Sequence, residues 1–171
     1  MSLPHGWDKI STDVVKLNNT FFVVCKTPLS ECTYPTTNFT EKDLAKEIKK
    51  LDVGLVIDLT MSNKYYSRKR LEHLTSVIVR KLKTKGHVVP PRRFCRYFCF
   101  VVNVFRKYNP TKNVLIHCTH GINRTGFLIC YYLCQHTKVH PNDAMNAFFT
   151  QRGEFHQIYQ HALRDMFSVQ D

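Results

Sequence analysis

The chain has 171 residues, of which 43% are hydrophobic and 12% aromatic, and its formal net charge is +12. This length suits one domain with a single sizeable core, so we expect one domain over residues 1–171. No apolar run reaches the roughly 18 residues that a membrane-spanning helix needs, so we expect no segment that spans a membrane.

The positive charge is concentrated in one segment of the chain. Residues 64–107 hold thirteen Lys or Arg side chains and one acid, Glu72, so this segment carries the whole excess of +12. Such one-sided charge favours a surface that binds a polyanion, and a solvated basic face is the simpler alternative. Charge alone does not distinguish RNA, inositol lipid headgroups and acidic proteins as partners.

The cysteines indicate a reducing compartment. Their number is odd, at seven, and the first residues lack the apolar stretch of a secretory signal. We therefore expect reduced thiols in an intracellular protein, in the nucleus or the cytoplasm. The pairs Cys95/Cys99 and Cys130/Cys134 each share one helix face, and small buried side chains explain this spacing better than a zinc site.

The apolar pattern predicts alternating strands and helices. In chain order the first half holds a strand at 19–26, a helix at 41–51 with Thr40 as its N-cap, and strands at 53–57 and 76–80. The second half holds a helix at 92–108, a strand at 114–116, and helices at about 125–136, from 141, and at 154–167. This order predicts an α/β fold with a mostly parallel central sheet flanked by helices.

The stretch HCTHGINRTG, residues 117–126, carries the most specific chemical signal. It places a cysteine, five residues and an arginine between a buried strand and a helix. A loop of this length curls so that its backbone N–H groups point at a bound tetrahedral anion. The predicted phosphate-binding residues are Thr119, His120, Gly121, Ile122, Asn123 and Arg124.

This loop predicts a cysteine-dependent phosphatase. The helix dipole and Arg124 favour the thiolate of Cys118, which would attack phosphorus and form a cysteinyl-phosphate that water then hydrolyses. The Arg124 guanidinium matches two phosphoryl oxygens and stabilises the transition state. The hydroxyl of Thr125 is placed to donate a hydrogen bond to the sulfur. We expect neither a metal nor a cofactor, because the loop itself neutralises the phosphoryl charge.

The sequence lacks a general acid where tyrosine and dual-specificity phosphatases carry one. No Asp or Glu occurs between Glu72 and Asp143, a range that includes the expected window at residues 80–95. General acid catalysis contributes roughly 10²–10⁴ to the rate when the leaving group is poor. A diphosphate needs little such help, so the pattern favours attack on a phosphoanhydride. Asp58 remains a candidate for either an assisting acid or an orienting group.

The loop resembles the signature of the RNA 5′-triphosphatase branch of the cysteine phosphatases. This branch includes the free-standing baculovirus phosphatase, which the chain resembles most in length, and the triphosphatase domain of metazoan capping enzymes. Further landmarks follow in the family's order, namely Trp7, residues 26–29, 57–60 and 64–66, Pro90-Pro91, and Arg152-Gly153. The chain departs from the family at Ser67, where an acid is usual, and in residues 154–158.

The resemblance implies an RNA 5′-triphosphatase that removes the γ-phosphate and also, as an open possibility, the β-phosphate. It implies the RNA 5′ end as partner and leaves open a partner from the capping pathway, which the sequence does not identify. We expect the chain to be a monomer. Lys64, Arg92 and Arg93 are candidate contacts for the phosphates or the RNA backbone. Two alternatives stay open, namely a dual-specificity protein or phosphoinositide phosphatase, and a non-enzymatic module that binds RNA ends.

Overall fold

A computed structural model describes residues 1–168 as one central sheet with helices on both faces. The first half contains β1 (Val15–Lys16), β2 (Phe22–Lys26), α1 (Glu41–Lys50), β3 (Val53–Asp58), α2 (Arg68–Thr75) and β4 (Ile78–Lys81). The second half contains α3 (Arg92–Tyr108), β5 (Asn113–Cys118), α4 (Asn123–Thr137), α5 (Pro141–Arg152) and α6 (Gln157–Phe167).

The sheet is parallel except at one edge. Its strand order is β1-β2-β5-β3-β4, and only β1 runs antiparallel to its neighbour. The register places Lys26 beside Cys118 and Asp58 beside His117, so the three central strands end at the same edge. This topology confirms the predicted α/β fold with a mostly parallel sheet, and ligands of such sheets bind at this edge.

The two faces of the sheet build two hydrophobic clusters. On β5, Val114 and Ile116 face the larger cluster, which the sheet forms with α3, α4, α5 and α6. Leu115 faces the other cluster, which includes residues of α1 and α2. Because both faces are covered, the central strands read as continuous apolar runs rather than as alternating ones.

Two elements were not anticipated by the sequence pattern. Helix α2 buries one side chain, Leu71, within a run of charged residues, so its periodicity gives almost no signal. Strand β1 has two residues and exists because it pairs with β2. The predicted helix at 154–167 begins at Gln157, and α4 begins at Asn123, two residues earlier than predicted.

The cysteines lie mostly in the interior. Six are buried, Cys32 is exposed, and all seven are free thiols. Burial raises the pKa of Cys95 and of Cys99 to about 12, so both behave as small apolar side chains. Within residues 1–168, no helix combines the length and the hydropathy that a bilayer crossing requires.

We expect Thr40→Ala to destabilise the fold without affecting the catalytic site. Thr40 caps α1 reciprocally with Asp43, whose carboxylate accepts from the Thr40 amide at 3.0 Å. Loss of such a cap costs about 1 kcal/mol, to be measured by urea unfolding. Thr111→Ala, at an exposed turn, serves as the control. An unchanged free energy of unfolding in Thr40→Ala would contradict the role of the capping box.

Candidate active site

The loop that follows β5 is fixed by a close approach to β2. The chain turns at Gly121, which has φ +70°, and a Cβ atom there would lie 1.9 Å from the carbonyl oxygen of Cys25. The Thr27 amide donates to the carbonyl oxygen of Thr119 at 3.2 Å. Only glycine combines this backbone angle with this contact, which accounts for the single glycine inside the loop.

Arg152 holds the outer side of the same loop. Its guanidinium donates to the carbonyl oxygens of His120 at 3.3 Å and Gly121 at 3.4 Å, and also to that of Asp13 at 3.1 Å. The loop carbonyls are thereby satisfied from outside, which leaves the loop amides free for an anion. The sequence marked Arg152 as a landmark of the family, but it gave no indication of this role.

Arg124, the arginine at the end of the loop, joins three segments beneath the site. Its Nη1 donates to the carbonyl oxygens of Thr84 at 2.7 Å and Leu59 at 3.3 Å, and its Nη2 donates to Thr119 Oγ1 at 3.1 Å. These contacts fix the guanidinium plane beside Cys118 at the ends of β3, β4 and β5. The side chain is 8% exposed, so its charge acts through little solvent.

Cys118 is a buried residue, 2% exposed, and its sulfur lies within the field of the Arg124 guanidinium. Burial alone would raise the pKa of this thiol, but the Arg124 guanidinium and hydrogen bonds from Thr125 and from the Gly121 amide outweigh it. The net result is a pKa below the ordinary value, in contrast to Cys25, whose pKa burial raises to about 12. The predicted nucleophile is therefore the buried thiol with a depressed pKa.

The hydroxyl of Thr125 is available to the sulfur. It is fully buried, and within residues 1–168 it makes no hydrogen bond, so it is free to donate to the ionised sulfur. An unsatisfied buried hydroxyl is costly, so a donor held beside a thiolate is best explained by a bond to it. This placement supports the predicted hydrogen bond from Thr125 to Cys118.

Asp58 does not line the catalytic pocket. Its carboxylate accepts from Lys81 Nζ at 2.8 Å and from Thr60 Oγ1 at 2.7 Å, and the His117 ring lies 4.0 Å away. Burial opposes its ionisation, but His117, Lys81 and Thr60 together keep the pKa of Asp58 below the ordinary value. A carboxylate bound in this way is ionised and orients the loop after β3. Of its two predicted roles, the geometry favours orientation.

The pocket above Cys118 has a volume of about 420 Å³. It brings together four predicted residues of the loop, namely Thr119, His120, Asn123 and Arg124, whereas Gly121 and Ile122 do not line it. The remaining lining residues are Pro4, His5, Met61, Ser62, Tyr65, Gly86, His87 and Tyr159. No Asp or Glu side chain lines this pocket in the part of the chain that the structure describes.

The N-terminal segment completes one wall of the pocket. The buried Lys26 ammonium lies 3.5 Å from the centroid of the Trp7 ring and donates to the carbonyl oxygen of Ile10 at 2.8 Å. This anchor brings His5 over the loop, where its carbonyl oxygen lies 2.9 Å from Nε2 of His120. Sequence patterns missed His5, and the signal available was Trp7, a lone tryptophan near the start of the chain.

The three candidate cations for RNA contact lie outside the pocket. Lys64 is exposed, although its neighbours Ser62 and Tyr65 line the pocket wall. Arg92 donates to the carbonyl oxygen of Met166 at 2.9 Å and so connects α3 to the end of α6. Arg93 is exposed on a shallow groove with Pro91, Phe94 and Tyr97.

We expect Arg124→Met to raise the pH at which Cys118 reacts with iodoacetamide. In the wild type the thiolate should persist below about pH 8.5, the value for a free thiol, because Arg124 stabilises the charged form. Removing that charge favours the neutral thiol, so the reactivity profile shifts upward. Alkylation of Cys118 is followed by mass spectrometry, with Arg93→Met as the control. Identical profiles for wild type and Arg124→Met would contradict this electrostatic account.

Comparisons with known proteins agree with this geometry. Residues 37–168 match the family described as "Dual specificity phosphatase, catalytic domain". The fold is similar to the crystal structure of Cydia pomonella PTP-2 phosphatase, with a TM-score of 0.70, 15% identity, and coverage of 93% of this chain and 92% of that one.

Three curated relatives are similar in sequence. The human "RNA/RNP complex-1-interacting phosphatase" is 35% identical over 88% of this chain and 48% of its own length, so the chain spans about half of that relative. The "Tyrosine-protein phosphatase" of Autographa californica nuclear polyhedrosis virus is 33% identical, over 82% of this chain and 83% of its own. The Caenorhabditis elegans "mRNA-capping enzyme" is 33% identical over 100% of this chain and 28% of its own. The chain therefore belongs to the dual-specificity family of cysteine phosphatases.

Proposed function

We propose that this cysteine phosphatase hydrolyses the γ-phosphate of 5′-triphosphate RNA inside the cell. The observation that carries the proposal is that no Asp or Glu lines the catalytic pocket within residues 1–168. The nearby carboxylate of Asp58 forms an ion pair with Lys81 instead. A serine or tyrosine leaving group needs a proton, whereas a diphosphate is a weak base and departs unassisted. The site is therefore better suited to a phosphoanhydride than to a phosphate ester.

The chemistry proceeds in two displacements at phosphorus. The thiolate of Cys118 attacks the γ-phosphorus in line, the bond to the β–γ bridging oxygen breaks, and RNA with a 5′-diphosphate leaves. Arg124 and the loop amides hold the equatorial oxygens, whose charge they balance in the transition state. Water then attacks the phosphorus of the cysteinyl-phosphate, releasing inorganic phosphate, while Thr125 stabilises the departing thiolate. The same sequence applied to the β-phosphate would yield a 5′-monophosphate.

Charge and relatives support RNA as the substrate. The net charge of +12 comes from residues 64–107, which contribute Tyr65 and His87 to the pocket wall. A basic surface beside the pocket attracts a polyanion whose end enters it. Two of the similar proteins are named for RNA, one for an RNA/RNP complex and one for mRNA capping. We propose accordingly that the chain acts as a monomer on RNA ends, in a step that precedes capping.

A phosphoprotein phosphatase is the second candidate. The viral relative is named a tyrosine-protein phosphatase, and the matching family is that of dual-specificity enzymes. The pocket volume of about 420 Å³ is compatible with a phosphotyrosine side chain as well as with a triphosphate. A phosphoinositide headgroup is also a phosphate ester, and the basic segment 64–107 would attract its negative charge as well.

We expect the wild type to prefer γ-labelled triphosphate RNA over a phosphotyrosine peptide and an inositol phosphate, in buffer containing EDTA. Cys118→Ser should abolish release of labelled phosphate, because serine is not ionised at neutral pH. Lys42→Ala, at an exposed ion pair on α1, serves as the matched surface control. A higher kcat/KM for the peptide or the inositol phosphate would replace the proposal with the second candidate. No turnover of any substrate would leave a phosphate-binding module.

We expect Asp58→Asn to lower kcat by a similar factor for p-nitrophenyl phosphate and for phenyl phosphate. An orienting carboxylate affects every substrate alike, because its loss disturbs the loop that holds Arg124 through Leu59. A general acid would instead matter most for phenyl phosphate, the poorer leaving group, by roughly 10²-fold or more. Such a selective loss would restore Asp58 as the acid and weaken the argument for a phosphoanhydride.

A further inference from the structure

The outward face of α3 is apolar where a surface helix is ordinarily polar. Tyr97, Phe100, Val104 and Tyr108 follow one another at intervals of three or four residues, so they form one stripe. Their exposed fractions are 52%, 61%, 41% and 73% respectively. The opposite side of the same helix is packed into the core through Phe98 and Val102, so the fold itself does not need this stripe.

The exposed rings are ordered rather than scattered. Tyr97 and Phe100 stack, with ring centroids 6.4 Å apart and planes inclined by 22°. Farther along the helix, Phe100, Val104 and Tyr108 form a groove of about 290 Å³ with Ile78 and Arg80 of the edge strand β4. The face therefore offers flat π surfaces beside a shallow channel.

Positive charge surrounds these rings. Helix α3 contains five basic side chains and no acidic one. Two of them are bound elsewhere, since Arg92 donates to the carbonyl oxygen of Met166, and Arg106 donates to that of Lys112 and lies over the Phe21 ring. Arg93 and Arg96 each precede a ring of the stripe by four residues, so they lie beside it. Lys107 Nζ lies 5.6 Å from the centroid of the Tyr108 ring, and Arg93 borders Tyr97 in the adjoining shallow groove. A second copy of this chain is a poor occupant, because pairing two such faces would bring like charges together. The complementary partner is a polyanion with aromatic groups of its own.

We propose that this face of α3 is a stacking platform for single-stranded RNA. Proteins that bind single strands without reading sequence combine a basic groove with aromatic side chains on which successive bases stack. The rings of Tyr97 and Phe100 supply the stacking surface, and the neighbouring arginines contact the backbone phosphates. This proposal rests on the proposed function, because the RNA bound by the platform is the part of the substrate that follows the 5′ end held at Cys118.

The platform lies within reach of the catalytic pocket. His87 lines the pocket, and Pro91, only four residues later, precedes the first turn of α3. Four residues of extended chain span at most about 14 Å, which limits the distance between the pocket wall and the start of α3. From there α3 runs for 17 residues, or about 25 Å. A strand whose 5′ end enters the pocket can therefore continue along the helix.

The binding test uses Cys118→Ser protein and a labelled 5′-hydroxyl RNA of about 12 nucleotides, within the usual site size for single strands. We expect Tyr97→Ala/Phe100→Ala to raise Kd about 10- to 100-fold, because stacking contributes about 1–3 kcal/mol per base. Tyr97→Phe/Phe100→Tyr should bind like the parent, since both rings remain. Tyr97→Leu/Phe100→Leu should bind as weakly as the alanine pair, since apolar area remains but flat rings do not.

Two results of this binding test would overturn the proposal. Unchanged RNA affinity in the alanine pair would remove the platform altogether. Wild-type affinity in the leucine pair would show apolar contact without stacking, the behaviour expected of a protein-docking surface.

A double substitution of Arg93 and Arg96 by Gln should lower both the affinity and the steepness of its salt dependence.

A kinetic test separates this platform from the catalytic proposal. In the active enzyme, the alanine pair should raise KM for long triphosphate RNA, while kcat/KM for p-nitrophenyl phosphate stays at the wild-type value and so reports intact folding. An equal KM effect on ATP and on long RNA would contradict the platform, because ATP is too short to reach α3. If the wild type did not hydrolyse triphosphate RNA, the proposed function would fail, whereas the 5′-hydroxyl binding test would still decide the platform.

Discussion

The electrostatic relation between Arg124 and the sulfur of Cys118 is the interaction on which the site depends. A buried thiol is ordinarily neutral, as the raised pKa of Cys25 shows one strand away. Cys118 is equally buried, but its pKa is lowered because a guanidinium and several donors converge on it. Arg124 holds this position through the carbonyl oxygens of Leu59 and Thr84, so the ends of β3 and β4 support the nucleophile.

The same positive environment limits which leaving groups the site can assist. It stabilises a thiolate and a bound phosphoryl group, but it contributes no proton to a leaving group. Asp58 lies at the end of β3, but its carboxylate accepts hydrogen bonds from Lys81 and Thr60 and does not line the pocket. The pocket contains no Asp or Glu among the described residues, and this is the basis of the proposed preference for substrates whose leaving group is already stable.

Beyond the pocket, charge and aromatic groups are arranged together on α3. The core-facing side of this helix is required for folding, whereas the rings of Tyr97 and Phe100 face solvent beside arginines. Exposed aromatic groups carry a risk of association, and the surrounding like charge opposes it. Because the fold does not use this stripe for stability, the stripe is available for the RNA contact proposed above.

The sequence by itself determined the strand–loop–helix around Cys118, the α/β class and the parallel sheet, because these depend on local patterns and on short-range chemistry. The spacing from Cys118 to Arg124 and the position of Gly121 were sufficient to predict the anion-binding loop. Only the tertiary structure decided that Asp58 pairs with Lys81, 23 residues away, and that Arg152 and His5 reach the loop from opposite ends of the chain. Contacts between residues so distant in sequence follow from packing of the whole sheet, which no local pattern encodes.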